Sequence, residues 1–311
     1  MNVSSFLGKC IDNKPSHFLL LKCSRINAVR RNGTFDMFVK KTFAAVRPKA
    51  DIQAASSLLT PSEINDALTT LNKDGVAILK NSLSKNDLQQ IMAFISETPA
   101  YASNVQEKIA INPANVPRQH SRYFWRMNSL IKNKAIQNIF TDPTFHRIAQ
   151  EYIGCSPLLT DVTLWLSPVY GEVTYDHIFH CDNDSPTFLK FFIYLTDTDE
   201  LSGAHAYIKG TNHPEKRKNL TVGKRYTDEQ IISMFGKENL AIMSAPAGTI
   251  IAEDTSGLHR GTAPKERHRF MLQLRFSNID TFQREKQEKI TKVTIPNLDP
   301  QLRKNLRIIC N

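Results

Sequence analysis

Residues Arg269–Ser277, RFMLQLRFS, alternate apolar and polar side chains with the two-residue period of a β-strand. Phe270, Leu272, Leu274 and Phe276 share one face, while Arg269, Met271, Gln273 and Arg275 share the other. Two guanidinium groups inside a β-sandwich are costly unless they meet an anion, and the arginine fork matches a carboxylate bidentately. The competing placement turns that face to solvent. The stretch 188–195 repeats the pattern: Leu189, Phe191, Ile193 and Leu195 form a wholly apolar face, and Phe188, Lys190, Phe192 and Tyr194 form a mixed one. The mixed face is expected to line the same interior, with Lys190 and Tyr194 as candidate cofactor contacts or as groups that reach a wet rim.

Working outward, further strands are expected over 161–167, 176–182, 204–208 and 248–253, divided by Gly, Pro, Asn and Asp. Several short antiparallel strands read as a sandwich or jelly roll. A polar insertion over 213–240 interrupts them and holds a helix near 227–235. Helices precede the strands. Thr60 is placed as an N-cap, Pro61 at the first helical position and Glu63 as the partner in a capping box, with Ile64, Ala67, Leu68 and Leu71 on one face and Gly75 as the stop. Val76–Leu79 reads as a short strand, Ser84 with Asp87 opens a second helix, and 143–153 forms another. The expected organisation is a basic leader over 1–55, a β domain over 56–282 and a C-terminal extension over 283–311.

A chain of 311 residues with 41% hydrophobic content can bury a sizeable core. Its net charge of +10 is unevenly spread. Residues 1–50 hold ten Lys and Arg against Asp12 and Asp36, so +8 falls in the leader and +2 in everything after it. A nearly neutral body argues against a nucleic-acid groove. The leader places Phe35, Phe38, Val39, Phe43 and Val46 at helical spacing behind Thr34 as an N-cap, and docking onto the domain is the favoured reading. A cytoplasmic location is expected, with mitochondrial targeting by the basic leader as the alternative. Cys10, Cys23, Cys155, Cys181 and Cys310 are scattered, lack a C-x-x-C pair and read as free thiols. No run approaches the length of a membrane-spanning segment.

The densest cluster of ligand-type residues is His177–Asp184, HIFHCDND. On a strand, His180 and Asp182 project together while His177 points away, which selects His180-x-Asp182. Asp184 falls in the turn-like Asn183-Asp184-Ser185-Pro186. One such pair arises easily by chance among nine histidines, so a third ligand is needed. His259, just past a strand in GTIIAEDTSGLHRGTAP, supplies it. Two histidines and a carboxylate leave positions open on non-haem Fe(II), which suits iron that binds both a chelating cosubstrate and dioxygen. Zinc more often takes a nearly closed set.

Four stretches in order, LNKDGVAILKNSLSKNDLQQI, HCD, FFIYLTDTDELSGAHAYIKGTNH and LHRGTAPKERHRFMLQLRF, resemble the phytanoyl-CoA dioxygenase family of Fe(II)- and 2-oxoglutarate-dependent oxygenases. The resemblance spans about residues 63–282. It implies a mainly β fold, a cupin-like double-stranded β-helix (jelly roll) with flanking N-terminal helices. It further implies iron at His180, Asp182 and His259, the distal carboxylate of 2-oxoglutarate on Arg269, and dioxygen as the second cosubstrate. Arg275 is a second candidate for that carboxylate or for substrate. The implied reaction couples decarboxylation of 2-oxoglutarate to hydroxylation of a small molecule. Two features depart from the pattern: Lys209-Gly-Thr-Asn-His213 stands where Pro-Gly-Ser-His is usual, and Arg269 follows His259 by ten residues where eleven is common. His213 is read as loop structure.

Three alternatives are an oxidative nucleic-acid demethylase, a non-catalytic β-barrel binding protein, and a zinc hydrolase using His177, His180 and Asp182. Strand parity argues against the last. An anionic substrate is a further expectation, from Lys216, Arg217, Lys218, Lys224 and Arg225 against Glu215 in the 213–225 loop.

Overall fold

In the computed structural model of the protein, the described residues are 33–102, 108–221, 223–280 and 290–311. The leader before residue 33, with Cys10 and Cys23, and residues 281–289 lie outside them.

The strand RFMLQLRFS forms as expected over Arg269–Ser277 (β11), and all nine of its residues are buried. It sits between Leu158–Ser167 (β5) and Phe188–Tyr194 (β6), antiparallel to both. The eight-stranded sheet runs β1-β9-β6-β11-β5-β4-β2-β3, where β1 is Val76–Ile78, β2 Ala100–Ala102, β3 Lys108–Ile109, β4 Tyr123–Trp125 and β9 Ile250–Glu253. A three-stranded antiparallel sheet lies apart from it, ordered β10-β7-β8: His259–Gly261 (β10), His205–Ile208 (β7) and Leu240–Met243 (β8).

Strand alternation divides the apolar residues into layers. Phe270, Leu272, Leu274 and Phe276 join Leu189, Phe191 and Ile193 in the main core, packed against the helices. Met271, Phe192, Tyr194 and Ile251 face the other way and meet Tyr207 and Met243 from the small sheet. Arg269 and Arg275 share the parity of Met271, so both guanidinium groups point between the sheets and not to solvent. Beyond the small sheet, Ala206 and Ile208 pack on Phe179, Leu220, Tyr226, Ile231 and Leu258. The helix expected near 227–235 is Asp228–Phe235 and supplies Ile231.

The helical layer covers the large sheet because each helix carries one apolar face and a defined start. Gly33–Val46 (α1) buries Val39 and Phe43, docking as expected, although it begins at Gly33 and leaves Thr34 inside the helix. Pro61–Asp74 (α2) has the Thr60–Glu63 capping box and ends on Gly75 in the left-handed conformation, at φ 81°. Lys85–Glu97 (α3) starts at Ser84, and Pro143–Ile153 (α4) starts at Asp142. The C-terminal helix Pro300–Asn305 (α5) adds Leu302 to the same core, with Leu306 and Ile309 following.

His146 on α4 joins these helices. Its Nε2–H donates to the Phe140 carbonyl at 2.8 Å, and its Nδ1 accepts from Asn305 Nδ2 at 3.2 Å, so one neutral tautomer satisfies both. Burial lowers its pKa to about 4. A histidine held neutral by the fold contributes stability that is complete above the unfolded value, about 6.5, and is lost as pH falls from there towards the folded value. Denaturation midpoints are therefore expected to fall between pH 6.5 and 4 by the equivalent of roughly 3 kcal/mol from this group alone. In His146→Gln that part of the acid sensitivity should vanish; an unchanged acid slope would remove His146 from the role.

Candidate active site

His259 opens β10, and its backbone N–H and C=O exchange hydrogen bonds with His180 at 3.0 and 2.9 Å. That exchange is a single bridge, not part of a strand. The stretch 176–182, expected to be a strand, is a 3-10 turn over Tyr175–His177 followed by two isolated bridges, Phe179 to Tyr226 and His180 to His259. The reason lies in where the backbone groups bond. Thr174 N donates to His177 Nδ1 at 3.0 Å, and Asp182 N donates to the Thr255 carbonyl at 2.8 Å. Strand parity thus does not bring His180 and Asp182 together; the bridge to His259 fixes one and the Thr255 bond fixes the other.

The three side chains converge. Asp182 Oδ1 lies 3.5 Å from His180 Nε2, and Asp182 Oδ2 lies 3.4 Å from His259 Nε2. Two donors on one ion, each about 2.1 Å from it, stand at most about 4.2 Å apart, and both separations meet that limit. The outer ring nitrogens fix the tautomers: His180 Nδ1 lies 2.9 Å from the Ile178 carbonyl and His259 Nδ1 3.1 Å from the Gly257 carbonyl. With a proton on Nδ1, each ring turns its Nε2 to Asp182. His177 faces Thr174 and does not join the set.

The electrostatics prepare a deprotonated carboxylate. Burial pushes the Asp182 carboxyl up, but Lys190 and His259 outweigh it and hold it well below the usual range. Burial lowers His180 to about 3, with His259 adding to the shift, so its ring is neutral. His259 moves up: Asp182 outweighs the burial that would lower it.

The four expected cofactor contacts part company. Lys190 Nζ lies 2.6 Å from Asp182 Oδ2 and 2.8 Å from Asp184 Oδ2. Arg275 Nη1 lies 3.2 Å from Asp184 Oδ2. Asp184, expected as a turn residue, is therefore the hub that engages both cations. The Tyr194 hydroxyl donates to the Met243 carbonyl at 2.9 Å and accepts from His205 N at 3.1 Å, tying the two sheets together. Arg269 differs from these three. It is 1% exposed, donates from Nη1 to the Gly203 carbonyl, and leaves Nε without a partner. Among the described residues no carboxylate lies within ion-pair distance of it, and burial lowers its pKa to about 10. A Cβ at Gly261 would stand 3.1 Å from Arg269 Nη2, so a larger residue there would crowd the guanidinium. Gly261 and His259 are two residues apart on one strand, a separation of roughly 7 Å.

The basic loop is largely engaged with the protein itself. Lys216 Nζ donates to the Lys209 carbonyl at 3.2 Å, and buried Arg217 donates to Ser256 Oγ at 3.3 Å. Lys224 and Arg225 lie over the rings of Tyr226 and Tyr175. His213 meets the Lys73 carbonyl, in keeping with loop structure. Two inward residues escaped the sequence reading. His205 on β7 and Glu253 on β9 stand beside His259, and the donor atoms of all three lie within 4.8 Å of one another. Parity was the available signal, since Glu253 shares a face with Ile251, and His205 with Tyr207.

No protein-family model and no curated protein sequence match the chain. Solved structures do. EctD from S. alaskensis, determined with 2-oxoglutarate and 5-hydroxyectoine, is similar at 13% identity and TM-score 0.50, covering 74% of this chain and 86% of EctD. SnoK, described as a non-heme alpha ketoglutarate dependent carbocyclase from nogalamycin biosynthesis, is 14% identical at TM-score 0.49 over 72% of this chain and 87% of its own. The likeness to EctD is one of fold: antiparallel sheets with flanking helices. Among the described residues no helix is long and apolar enough to cross a membrane.

Lys190 offers a test of the site's electrostatics. Its removal leaves two carboxylates between the sheets without their shared cation, a loss of about 3–5 kcal/mol for a fully buried pair. The lower end applies because the Asp182 and Asp184 side chains are 21% and 25% exposed. In metal-free protein at pH 7, Lys190→Met should thus reduce the urea-unfolding free energy by about 3 kcal/mol. The deficit should shrink below about pH 4: the folded carboxyls sit below their unfolded values, so their contribution is present above those values and lost as pH falls through the folded ones. A pH-independent deficit would attribute the loss to packing.

Proposed function

We propose that the protein is an Fe(II)- and 2-oxoglutarate-dependent oxygenase acting on a small molecule, and that its two sheets are the walls of a double-stranded β-helix. One observation carries the proposal: a buried guanidinium, Arg269, that has no acid partner among the described residues and lies beside the strand that bears one of three convergent ligand-type groups. A buried guanidinium whose charge no acid balances calls for an anion, and the triad calls for a cation. A short dicarboxylic acid that chelates a metal at one end supplies both. EctD, which shares the fold, was determined with 2-oxoglutarate. The finer proposal, hydroxylation by an enzyme like the phytanoyl-CoA dioxygenases, rests on the four sequence stretches that resemble that family.

His180, Asp182 and His259 would hold the iron. When bound with 2-oxoglutarate, iron supplies dioxygen activation coupled to decarboxylation of the cosubstrate to succinate. The residues around it set the conditions. Ile178 and Gly257 carbonyls keep the imidazole protons on the outer nitrogens, Lys190 keeps Asp182 ionised, and Arg269 receives the distal carboxylate. Trp165, Phe192, Ile251 and Met271 line the space between the sheets with apolar surface, and the lower local dielectric strengthens each of these charge interactions.

Anaerobic addition of Fe(II) and 2-oxoglutarate should produce a weak visible charge-transfer band, and air should then release succinate. Asp182→Ala is expected to abolish both; retention of both would overturn the assignment. Arg269→Ala removes a charge-assisted bidentate partner, worth about 1.5–3 kcal/mol, and should raise the 2-oxoglutarate requirement roughly 10- to 150-fold. Arg275→Ala, already paired with Asp184, should act mainly on stability. The reverse pattern would move the carboxylate site to Arg275.

A further inference from the structure

Glu253 is 0% exposed, and neither of its carboxylate oxygens has a hydrogen-bond partner. It points between the sheets from the strand position opposite Lys190, whose ammonium is turned to Asp182 and Asp184. His205 reaches towards it from the small sheet. That ring is 3% exposed, its Nδ1 also lacks a hydrogen-bond partner, and Nδ1 stands 3.5 Å from Glu253 Oε2. Among the described residues nothing donates to the Glu253 carboxyl and nothing hydrogen-bonds to His205 Nδ1, and polar atoms buried in that way are costly unless a cation satisfies them.

We infer that Glu253 and His205 form, with His259, a second and inner seat for a divalent metal ion, beside the seat formed by His180, Asp182 and His259. The inference rests on the reading of that outer triad as a metal site. Both donor sets draw on His259 and hold their donor atoms within 4.8 Å of one another, with Glu253 and His205 at 3.5 Å inside the span of one ion. His259 Nδ1 faces the Gly257 carbonyl at 3.1 Å, so only Nε2 has a lone pair to offer. One lone pair serves one ion. The two seats are therefore alternatives: the protein takes one equivalent of metal and never two. An ion in the inner seat satisfies Glu253 and His205, and an ion in the outer seat leaves them to line the space beside it.

Seat occupancy is read directly from metal binding. Co(II) would be titrated into the full chain under anaerobic conditions by calorimetry, with its visible ligand-field spectrum recorded in parallel. Wild type should bind one equivalent. Asp182→Ala, which dismantles the outer seat, should still bind one equivalent, with a changed spectrum. Asp182→Ala combined with Glu253→Gln should bind weaker than Asp182→Ala alone by at least about 10- to 100-fold, the loss that follows even from removing an outer partner of a ligand. Asp182→Ala with His205→Gln should behave alike, which guards against a misfolded Glu253 variant; circular dichroism checks both. Complete loss of Co(II) from Asp182→Ala, or equal binding by the single and double variants, would overturn the inner seat. Two equivalents in wild type would overturn it as well. The outer triad fails on a different result: wild-type affinity and spectrum in Asp182→Ala would show that the metal never used Asp182.

Discussion

The Lys190 ammonium, 2.6 Å from Asp182 and 2.8 Å from Asp184, is the contact on which the site's geometry hangs. The segment carrying His180 and Asp182 belongs to no strand ladder, so no row of backbone hydrogen bonds sets its position. Its anchors are two isolated bridges, Phe179 to Tyr226 and His180 to His259, one bond to Thr255 and this ionic clamp to a central strand of the large sheet. Arg275, directly opposite Lys190 in the register, extends the clamp to the neighbouring strand through Asp184. Two cations on adjacent strands would repel; the intervening carboxylates make their closeness favourable.

The loop that bears His259 is tied from several directions. Tyr152, on the helix that packs on the large sheet, donates to Asp254 Oδ2 at 2.6 Å. Tyr207 donates to the Asp254 carbonyl at 3.0 Å, and Asp254 N donates back to Gly75 O, which follows the second helix. The helical layer therefore does more than cover apolar strands. Tyr152 and Gly75 together hold Asp254, five residues before His259.

Strands with a two-residue hydrophobic period were legible: the bounds of β11 and the two faces of β6 follow from side-chain alternation alone, because burial on both sides fixes the register. Capped helices were legible too, since Thr60, Pro61, Glu63 and Gly75 act locally. The segment over 176–182 was not, because its backbone bonds go to a side chain and to distant loops that periodicity does not encode. Asp184 does lie in a bend, as its neighbours indicate, but its ion pairs with Lys190 and Arg275 on two adjacent strands were not legible, because turn composition describes the backbone and not the side chain. Glu253 and His205 were present in the alternation and were passed over, since each is a single polar residue in an otherwise apolar strand.

The complete burial of β11 has a consequence for how such a protein can change. One face is core and the other meets the small sheet, so a slip of one residue would drive guanidinium groups among Phe191 and Phe145 and set phenylalanines against Asp182 and Asp184. No position on the strand is free to drift. Change is better tolerated in segments such as the helical insertion after β7, which no strand register constrains.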